Sequence, residues 1–214
     1  MGRHGRSLEE TIVGELVGLR RLVCNLTVLC DAGASETEVL DTGGASLRAL
    51  VSSDDWLPVE FAEPDPAQYR QYLLYCDPLE RFSIVSFVWG PGQRTPVHDH
   101  TVWGLIGMLR GAEISRNYAA NPAGKLECEG ILHLTPGQIT AVSPQIGDIH
   151  QVENALTDRP SISIHAYGAN IGAVARHVYL LESGRTEPFV SGYANDRLPN
   201  LWDRSAETRS RLGI

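Results

Sequence analysis

A succession of short segments rich in β-branched and aromatic residues most constrains the fold of this chain. The segments begin near Tyr69, follow one another at short intervals, and are each bounded by Gly, Pro, Asn or Asp. Such spacing is typical of an all-β sandwich or barrel, because alternating βαβ units would place helical stretches between the strands. We therefore predict a mainly β protein with strands over residues 82–89, 101–109, 113–118, 131–134, 139–142, 150–152 and 161–167.

The first third of the chain has a helical pattern instead. Ser35 and Glu38 have the spacing of a capping box that opens a second helix, and a third helical piece is expected over residues 45–52. We predict a helical segment over residues 1–66 that packs, as a lid or a buttress, on a β-barrel over 67–214, the two forming one structural domain. The first helix is predicted from apolar residues at three- and four-residue steps, namely Leu8, Ile12, Leu16, Leu19, Leu22, Val23 and Leu26.

Charge and cysteine content exclude several classes of function. The net charge of -8 argues against a nucleic-acid partner, which would need a basic surface to displace the counterions of the phosphates. The most apolar N-terminal stretch is interrupted by charged residues, so neither secretion nor membrane insertion is expected. The cysteines lack metal-site or disulfide spacing, which favours the cytoplasm and small apolar packing roles for Cys24, Cys30, Cys76 and Cys128.

Two histidines separated by one residue form the most suggestive short motif. Side chains two apart on a strand share a face, so His98 and His100 could both reach one metal ion. By itself the pattern is weak, because histidines are common on half-buried strands. A third histidine, His150, follows a glycine turn at Gly147 and opens another strand.

These two blocks resemble the paired motifs of the cupin superfamily. In the first motif a glycine precedes the histidine pair by six residues and a second glycine follows it, while the usual glutamate position holds Gly104. The Pro-to-Gly gap of the second motif is one residue longer than the common pattern. The resemblance implies a double-stranded β-helix, a small jelly-roll-like barrel, and is carried by Gly92, His98, His100, Gly111, His150 and Asn154.

Three histidines without a carboxylate narrow the resemblance to the thiol dioxygenases of the cysteine dioxygenase type. The matching stretch extends from about Tyr69 to Tyr167 and includes a Ser-x-His-x-Tyr run. The resemblance implies an Fe(II) cofactor on His98, His100 and His150, with a small thiol and O2 as the reactants. On the run itself, Ser163, His165 and Tyr167 alternate along one strand and share a face, so they could form a relay that ends at the tyrosine hydroxyl.

Three further positions bear on the substrate. Where animal cysteine dioxygenases carry an arginine for the substrate carboxylate, alignment places Gln71, with Arg70 on the opposite face of the strand. Gly104 stands where those enzymes have a cysteine that cross-links to the tyrosine. Arg176, nine residues after Tyr167, could pair with a substrate carboxylate through its planar guanidinium or make an ordinary surface salt bridge.

This combination, together with the stretch Phe189–Tyr193, resembles bacterial 3-mercaptopropionate dioxygenases. We therefore expect oxidation of 3-mercaptopropionate to 3-sulfinopropionate, with Arg176 and Gln71 at the substrate. The alternatives are a cysteine dioxygenase in which Arg70 faces the pocket, and a metal-binding cupin without catalytic activity. A cupin isomerase or hydrolase is ranked last, because Gly104 removes the usual carboxylate. Asp99, between the paired histidines, is expected to face away from the metal.

Overall fold

The computed structural model describes residues 16–202 and 205–212. Eleven strands in this part of the chain form two antiparallel sheets. The first sheet has five strands in the order β1-β2-β9-β4-β7, and the second has six in the order β11-β10-β3-β8-β5-β6. The strands are β1 Arg70–Cys76, β2 Ser83–Trp89, β3 Val97–His98, β4 Gly104–Arg110, β5 Glu113–Ala120, β6 Leu126–Leu134, β7 Ile139–Val142, β8 Ile149–Asn154, β9 Ser161–Tyr167, β10 Arg176–Leu180 and β11 Arg185–Phe189.

The two sheets face each other and enclose a polar and aromatic interior. Tyr167 of the five-stranded sheet stacks on the ring of His100, whose neighbour His98 ends β3 in the six-stranded sheet. Val152 of β8 packs in one cluster with Trp89 of β2. The prediction of a mainly β, cupin-type double-stranded β-helix with an N-terminal helical segment is confirmed.

The helices cover the outer face of the five-stranded sheet. They are α1 Val17–Asp31, α2 Glu36–Glu38, a π-helical turn Val39–Gly43 and α3 Gly44–Val51, and after the barrel comes α4 Ser205–Leu212. The apolar faces of α1 and α3 form one buried core with the side chains of the sheet that alternate with the interior ones. Among the described residues the helical segment is therefore a buttress, and it lies behind the sheet. The members of this core include Leu19, Leu22, Leu26, Leu47, Ile84, Leu105, Ile162 and Ile164.

The helical features predicted from the sequence are present in the described part of the N-terminal segment. The predicted capping box is present, because Ser35 Oγ accepts from the Glu38 N–H and Glu38 Oε2 accepts from the Ser35 N–H. The predicted third helix occurs as α3, one residue earlier than expected. The part of the predicted first helix at residues 8–15 lies outside the described residues.

Several strand boundaries differ from the predictions. The strand predicted from residue 101 starts only at Gly104, because Thr101 has a left-handed backbone (φ 61°) that does not continue a strand. β6 begins at Leu126 and is five residues longer than predicted. Strands β10 and β11 were not predicted, since β11 is mostly exposed and carries alternating charges in place of an apolar pattern.

All four cysteines are free. The expectation that they fill small apolar spaces is wrong for Cys24 and Cys128, which are exposed, because Cys24 lies on the solvent side of α1 and Cys128 on the edge strand β6. No helix in the described ranges combines the length and the apolar character needed to cross a bilayer.

Candidate active site

Three buried histidines converge in the barrel interior. His98 lies directly across the sheet from His150, and His100 follows two residues later, just beyond the end of β3. The possible ligand nitrogens of the three residues all lie within 4.8 Å of one another, and the ring centroids are 4.8 to 4.9 Å apart. The structure thus brings the predicted ligand set together.

Each of these imidazoles is oriented by a contact at Nδ1. His98 Nδ1 lies 3.1 Å from the carbonyl oxygen of Pro96, His100 Nδ1 lies 3.0 Å from Asp148 Oδ1, and His150 Nδ1 lies 3.1 Å from Ser115 Oγ. A carbonyl and a carboxylate can only accept, so Nδ1 carries the proton in the first two and Nε2 is left as the metal-binding atom. Ser115 in turn donates to Asn117 Oδ1 at 3.2 Å, which leaves its oxygen free to accept from His150.

The site fits a metal ion on two observations besides spacing. His100 Nε2 is buried and has no hydrogen-bond partner among the described residues, which is costly unless a ligand occupies that direction. Burial, with the neighbouring His100 as a smaller cause, lowers the pKa of His98 to about 3 and the pKa of His150 well below its usual range. Both rings are therefore neutral at physiological pH, and neutral imidazole is the form that binds metals.

Asp148 anchors the second ligand and was missed from the sequence. Its carboxylate accepts from the backbone N–H of His100 at 3.1 Å and from that of Thr101 at 2.8 Å, as well as from the His100 ring. Burial opposes its charge, yet the hydrogen bonds from His100 and Thr101 keep the pKa of Asp148 below its usual range. In the sequence this residue is visible only as an aspartate two residues before His150. Its hydrogen-bond partner, His100, lies 48 residues earlier in the chain.

Asp99 points away from the three histidines, as expected. Its carboxylate accepts from the backbone N–H of His177 at 2.7 Å, and its Oδ2 lies 2.9 Å from both the His177 Nδ1 and the Tyr179 hydroxyl. These contacts attach β10 to the segment that carries the ligands. His177 itself is a half-exposed strand residue, and His133 is exposed.

Ser163, His165 and Tyr167 form one hydrogen-bonded row on the interior face of β9. Ser163 Oγ lies 2.8 Å from His165 Nε2, and His165 Nδ1 lies 2.8 Å from the Tyr167 hydroxyl. Burial lowers the pKa of His165 well below its usual range and raises the pKa of Tyr167, so both groups are neutral. The Tyr167 ring stacks on the ring of His100, with centroids 5.3 Å apart.

Gly104 makes room for that tyrosine. It pairs with Tyr167 across β4 and β9, and a Cβ at Gly104 would lie 2.9 Å from Tyr167 Cε1 and 2.9 Å from Val142 Cγ2. The ring therefore occupies the space that a cysteine or glutamate side chain would take. Without a thiol at this position no thioether to Tyr167 can form.

Arg176 lies at the start of β10 as a buried cation, with 3% of its surface exposed. Its Nη2 donates to Ser191 Oγ at 2.6 Å, its guanidinium carbon lies 4.6 Å from the centroid of Phe189, and Nε has no hydrogen-bond partner in the part of the chain that the structure describes. No carboxylate in the described ranges pairs with it, so a surface salt bridge is excluded there. The same Phe189 ring lies 6.3 Å from the ring of His98, which places Arg176 near the candidate metal site.

Gln71, not Arg70, is the buried residue at the position compared with the animal arginine. Gln71 Nε2 donates to Gly192 O at 2.9 Å and lies 3.3 Å from Ser191 Oγ. Arg70 is partly exposed and pairs with Asp65. Ser191 thus contacts both residues that were predicted at the substrate, and it lies in the stretch Phe189–Tyr193 that also carries the resemblance.

Aromatic side chains complete the interior. Phe87 stacks on Trp89, and Tyr69 contacts both rings. Trp103 packs against the core on the helix side and lies against Gly168. The barrel interior therefore holds the three histidines together with an apolar aromatic wall.

Comparison with known proteins agrees with this arrangement. A family model described as Cysteine dioxygenase type I matches residues 37–178, about two thirds of the chain. The chain belongs to the cysteine dioxygenase type I family. Membership makes it a thiol dioxygenase, an oxidoreductase of a family that uses a small thiol and O2.

Several individual proteins are also similar to this chain. Cysteine dioxygenase type 1 of Danio rerio is 26% identical over 157 residues, which are 72% of this chain and 71% of that protein. A double-stranded β-helix protein from Klebsiella pneumoniae has 18% identity and a TM-score of 0.43, over 53% of this chain and 89% of that one. A cupin superfamily protein from Desulfitobacterium hafniense has 15% identity and a TM-score of 0.41, over 54% and 91% of the two chains.

Proposed function

We propose that this family member is an Fe(II)-dependent dioxygenase that converts 3-mercaptopropionate to 3-sulfinopropionate. The observation that carries the proposal is Arg176, a buried cation beside His98 that no carboxylate of the described chain neutralises. A buried unpaired charge is costly, and a substrate carboxylate would supply the missing partner through two parallel hydrogen bonds. The thiol of the substrate would then lie at the metal, and its carboxylate would lie at Arg176.

The proposed metal is iron held by His98, His100 and His150. Three neutral nitrogen ligands leave the full charge of a divalent ion uncompensated, which favours an anionic sulfur ligand. Bound there, Fe(II) would supply a centre that accepts the thiolate and O2 in adjacent positions, so that both oxygen atoms are transferred to sulfur. The reaction R–SH + O2 → R–SO2H is balanced without a further reductant.

The chain's own groups bind and orient the reactants. Arg176 holds the carboxylate, and Ser191 fixes the guanidinium. Tyr167 presents its hydroxyl beside the metal site, oriented by His165. The aromatic wall excludes water from a thiolate that would otherwise be solvated. We also propose a cytoplasmic location, which the four free cysteines support.

Oxygen uptake by the iron-loaded protein tests the substrate. We expect kcat/KM to be at least about 10-fold higher for 3-mercaptopropionate than for L-cysteine, because the buried β1 residue beside Ser191 is the neutral Gln71 and Arg70 is paired with Asp65. The second candidate is a cysteine dioxygenase, which the similarity to the zebrafish enzyme favours. Preference for L-cysteine would establish that alternative, and no uptake with any thiol would favour a binding module without catalytic activity.

The substitution Arg176→Ala tests the carboxylate site. We expect a loss of about 100-fold or more in kcat/KM for 3-mercaptopropionate, since a charged hydrogen-bonding partner is removed, with unchanged iron content. Arg185→Ala is the matched control, because Arg185 lies on the neighbouring strand β11 and is exposed. Equal turnover in the two variants would remove Arg176 from the site.

A further inference from the structure

Ser191 connects the surface of the barrel with the buried cation of the candidate site. The residue is exposed, whereas Arg176, whose Nη2 donates to the Ser191 oxygen at 2.6 Å, has only 3% of its surface exposed. Ser191 also lines a cavity of about 270 Å³, together with Tyr69, Gln71 and Phe189. A small molecule in this cavity is therefore next to the Ser191 hydroxyl and one hydrogen bond away from the guanidinium.

The orientation of the Gln71 amide follows from its contact with a backbone carbonyl. Gln71 Nε2 lies 2.9 Å from the oxygen of Gly192, and a carbonyl oxygen can only accept a hydrogen bond. The reversed amide would place two acceptors against each other, so the nitrogen is the atom that faces Gly192. The same nitrogen lies 3.3 Å from Ser191 Oγ, and its second proton allows both bonds to form together.

The segment that carries Ser191 is attached to the edge strand β1. The Ala194 N–H donates to the carbonyl oxygen of Gln71 at 2.8 Å. The side chain of Asn195 accepts from the Leu73 N–H at 2.7 Å and donates to the Leu73 carbonyl at 2.9 Å. These bonds do not involve Arg176, so the Ser191 hydroxyl is a preformed part of the site.

Two donors occupy the acceptor positions of the Ser191 oxygen. Arg176 Nη2 and Gln71 Nε2 can only donate, so Ser191 Oγ accepts from each of them. A hydroxyl group has two acceptor positions and one proton, which leaves its O–H as a donor. No group of the described chain accepts that proton. The O–H of Ser191 is therefore available to an acceptor in the cavity.

We propose that Ser191 is a substrate-binding residue whose hydroxyl donates to the carboxylate that Arg176 holds. This role rests on the proposed function, because it takes the carboxylate of 3-mercaptopropionate as the acceptor. Arg176 Nε, which has no partner in the described chain, and the Ser191 O–H serve the same anion. The site therefore favours thiols that end in an anionic acceptor over thiols that end in an ammonium group, such as cysteamine.

Binding to the full-length, zinc-loaded protein tests the role of Ser191, because Zn²⁺ has no redox chemistry and separates binding from turnover. Isothermal titration calorimetry measures Kd for each thiol. We expect Ser191→Ala to weaken binding of 3-mercaptopropionate about 10-fold or more, because a hydrogen bond to a charged group is lost, and to leave Kd for cysteamine within about twofold of wild type. Ser191→Thr, which keeps the hydroxyl, should bind 3-mercaptopropionate like wild type.

Ser183→Ala is the matched control, because Ser183 is an exposed serine in the turn between β10 and β11, and it should bind both thiols like wild type. A crystal structure of the zinc-loaded protein with 3-mercaptopropionate measures the contact directly. We expect a carboxylate oxygen within about 3.2 Å of Ser191 Oγ. That distance separates a residue that touches the substrate from one that only holds the guanidinium.

Three results would overturn the proposal. They are a carboxylate that contacts Arg176 but not Ser191, equal changes in Kd for the two thiols in Ser191→Ala, and no binding of 3-mercaptopropionate to wild type. Binding as expected, together with no oxygen uptake by the iron-loaded protein, would support the role of Ser191 and contradict the proposed function.

Discussion

At the scale of single residues, the absence of a side chain at Gly104 positions Tyr167. The ring lies over the glycine at a distance where even a methyl group would be too close to it. The residue type at position 104 therefore decides where the Tyr167 hydroxyl lies relative to the three histidines. The same site that in animal enzymes carries the cross-linking cysteine is here filled by the ring itself.

The substitution Gly104→Ala tests this packing. The added methyl group has to displace Tyr167 or Val142, which costs about 1–3 kcal/mol of strain. We expect kcat/KM to fall about 10-fold or more while metal content is kept, because none of the three candidate ligand histidines lies on β4. Gly130→Ala on β6, where a Cβ meets nothing within 4 Å, is the control and should leave kcat/KM unchanged. Equal effects in the two variants would contradict the packing role.

At the scale of elements, the helices and the interior lie on opposite sides of the five-stranded sheet. Alternation along β9 sends Ser163, His165 and Tyr167 inward, and sends Ile162 and Ile164 to the helices. One strand thus contributes both to stability and to the site. Because the two sets do not share side chains, stability and activity should be separable.

Leu47 of α3 tests that separation. Its side chain is fully buried over Gly107 of β4, so Leu47→Ala should lower the free energy of unfolding by about 2–5 kcal/mol. Urea unfolding measures this loss, and kcat/KM at 25 °C should stay within about twofold of wild type. Val28→Ala, on the exposed side of α1, is the control and should change the unfolding free energy by less than about 0.5 kcal/mol. Loss of activity before unfolding would show that the helices do more than brace the sheet.

At the scale of the whole molecule, the barrel interior holds imidazoles that the folded protein keeps neutral. Burial holds the pKa of His165 well below its usual range, whereas in the unfolded chain it takes up a proton below about pH 6.5. The unfolded state then binds more protons, so the free energy of unfolding falls as the pH falls. The metal-free protein should therefore lose stability steeply in mild acid.

His165→Gln isolates one proton of this effect. Between about pH 6 and pH 4, the unfolding free energy of wild type should fall more steeply than that of the variant, by about 1.4 kcal/mol per pH unit. Chemical unfolding of the metal-free protein at several pH values measures both slopes. His133→Gln removes an exposed histidine and should keep the wild-type slope. Parallel slopes for His165→Gln and wild type would mean that His165 is protonated in the folded state.

Local patterns in the sequence were sufficient for much of the fold, whereas the set of three histidines followed from the resemblance to a known family. Period-two alternation placed Ser163 with His165 and Tyr167, because residues two apart on a strand share a face, whereas His100 reaches His98 from just beyond the end of β3. Turn residues divided most of the β-region correctly. The division at residues 66 and 67 and the catalytic roles of the site residues stay predictions.

Only the tertiary structure decided which distant groups meet at the site. Asp148 reaches His100 from 48 residues away, and Ser191 meets Gln71 across 120 residues. The burial of Arg176 and Glu113 depends on how the two sheets close, since both are charged types that are most often exposed. The sequence by itself therefore determined most of the strands, through short-range periodicity, and the three histidines, through the family motifs that contain them. The charged and hydroxyl side chains around the three histidines depend on long-range packing, and only the tertiary structure revealed them.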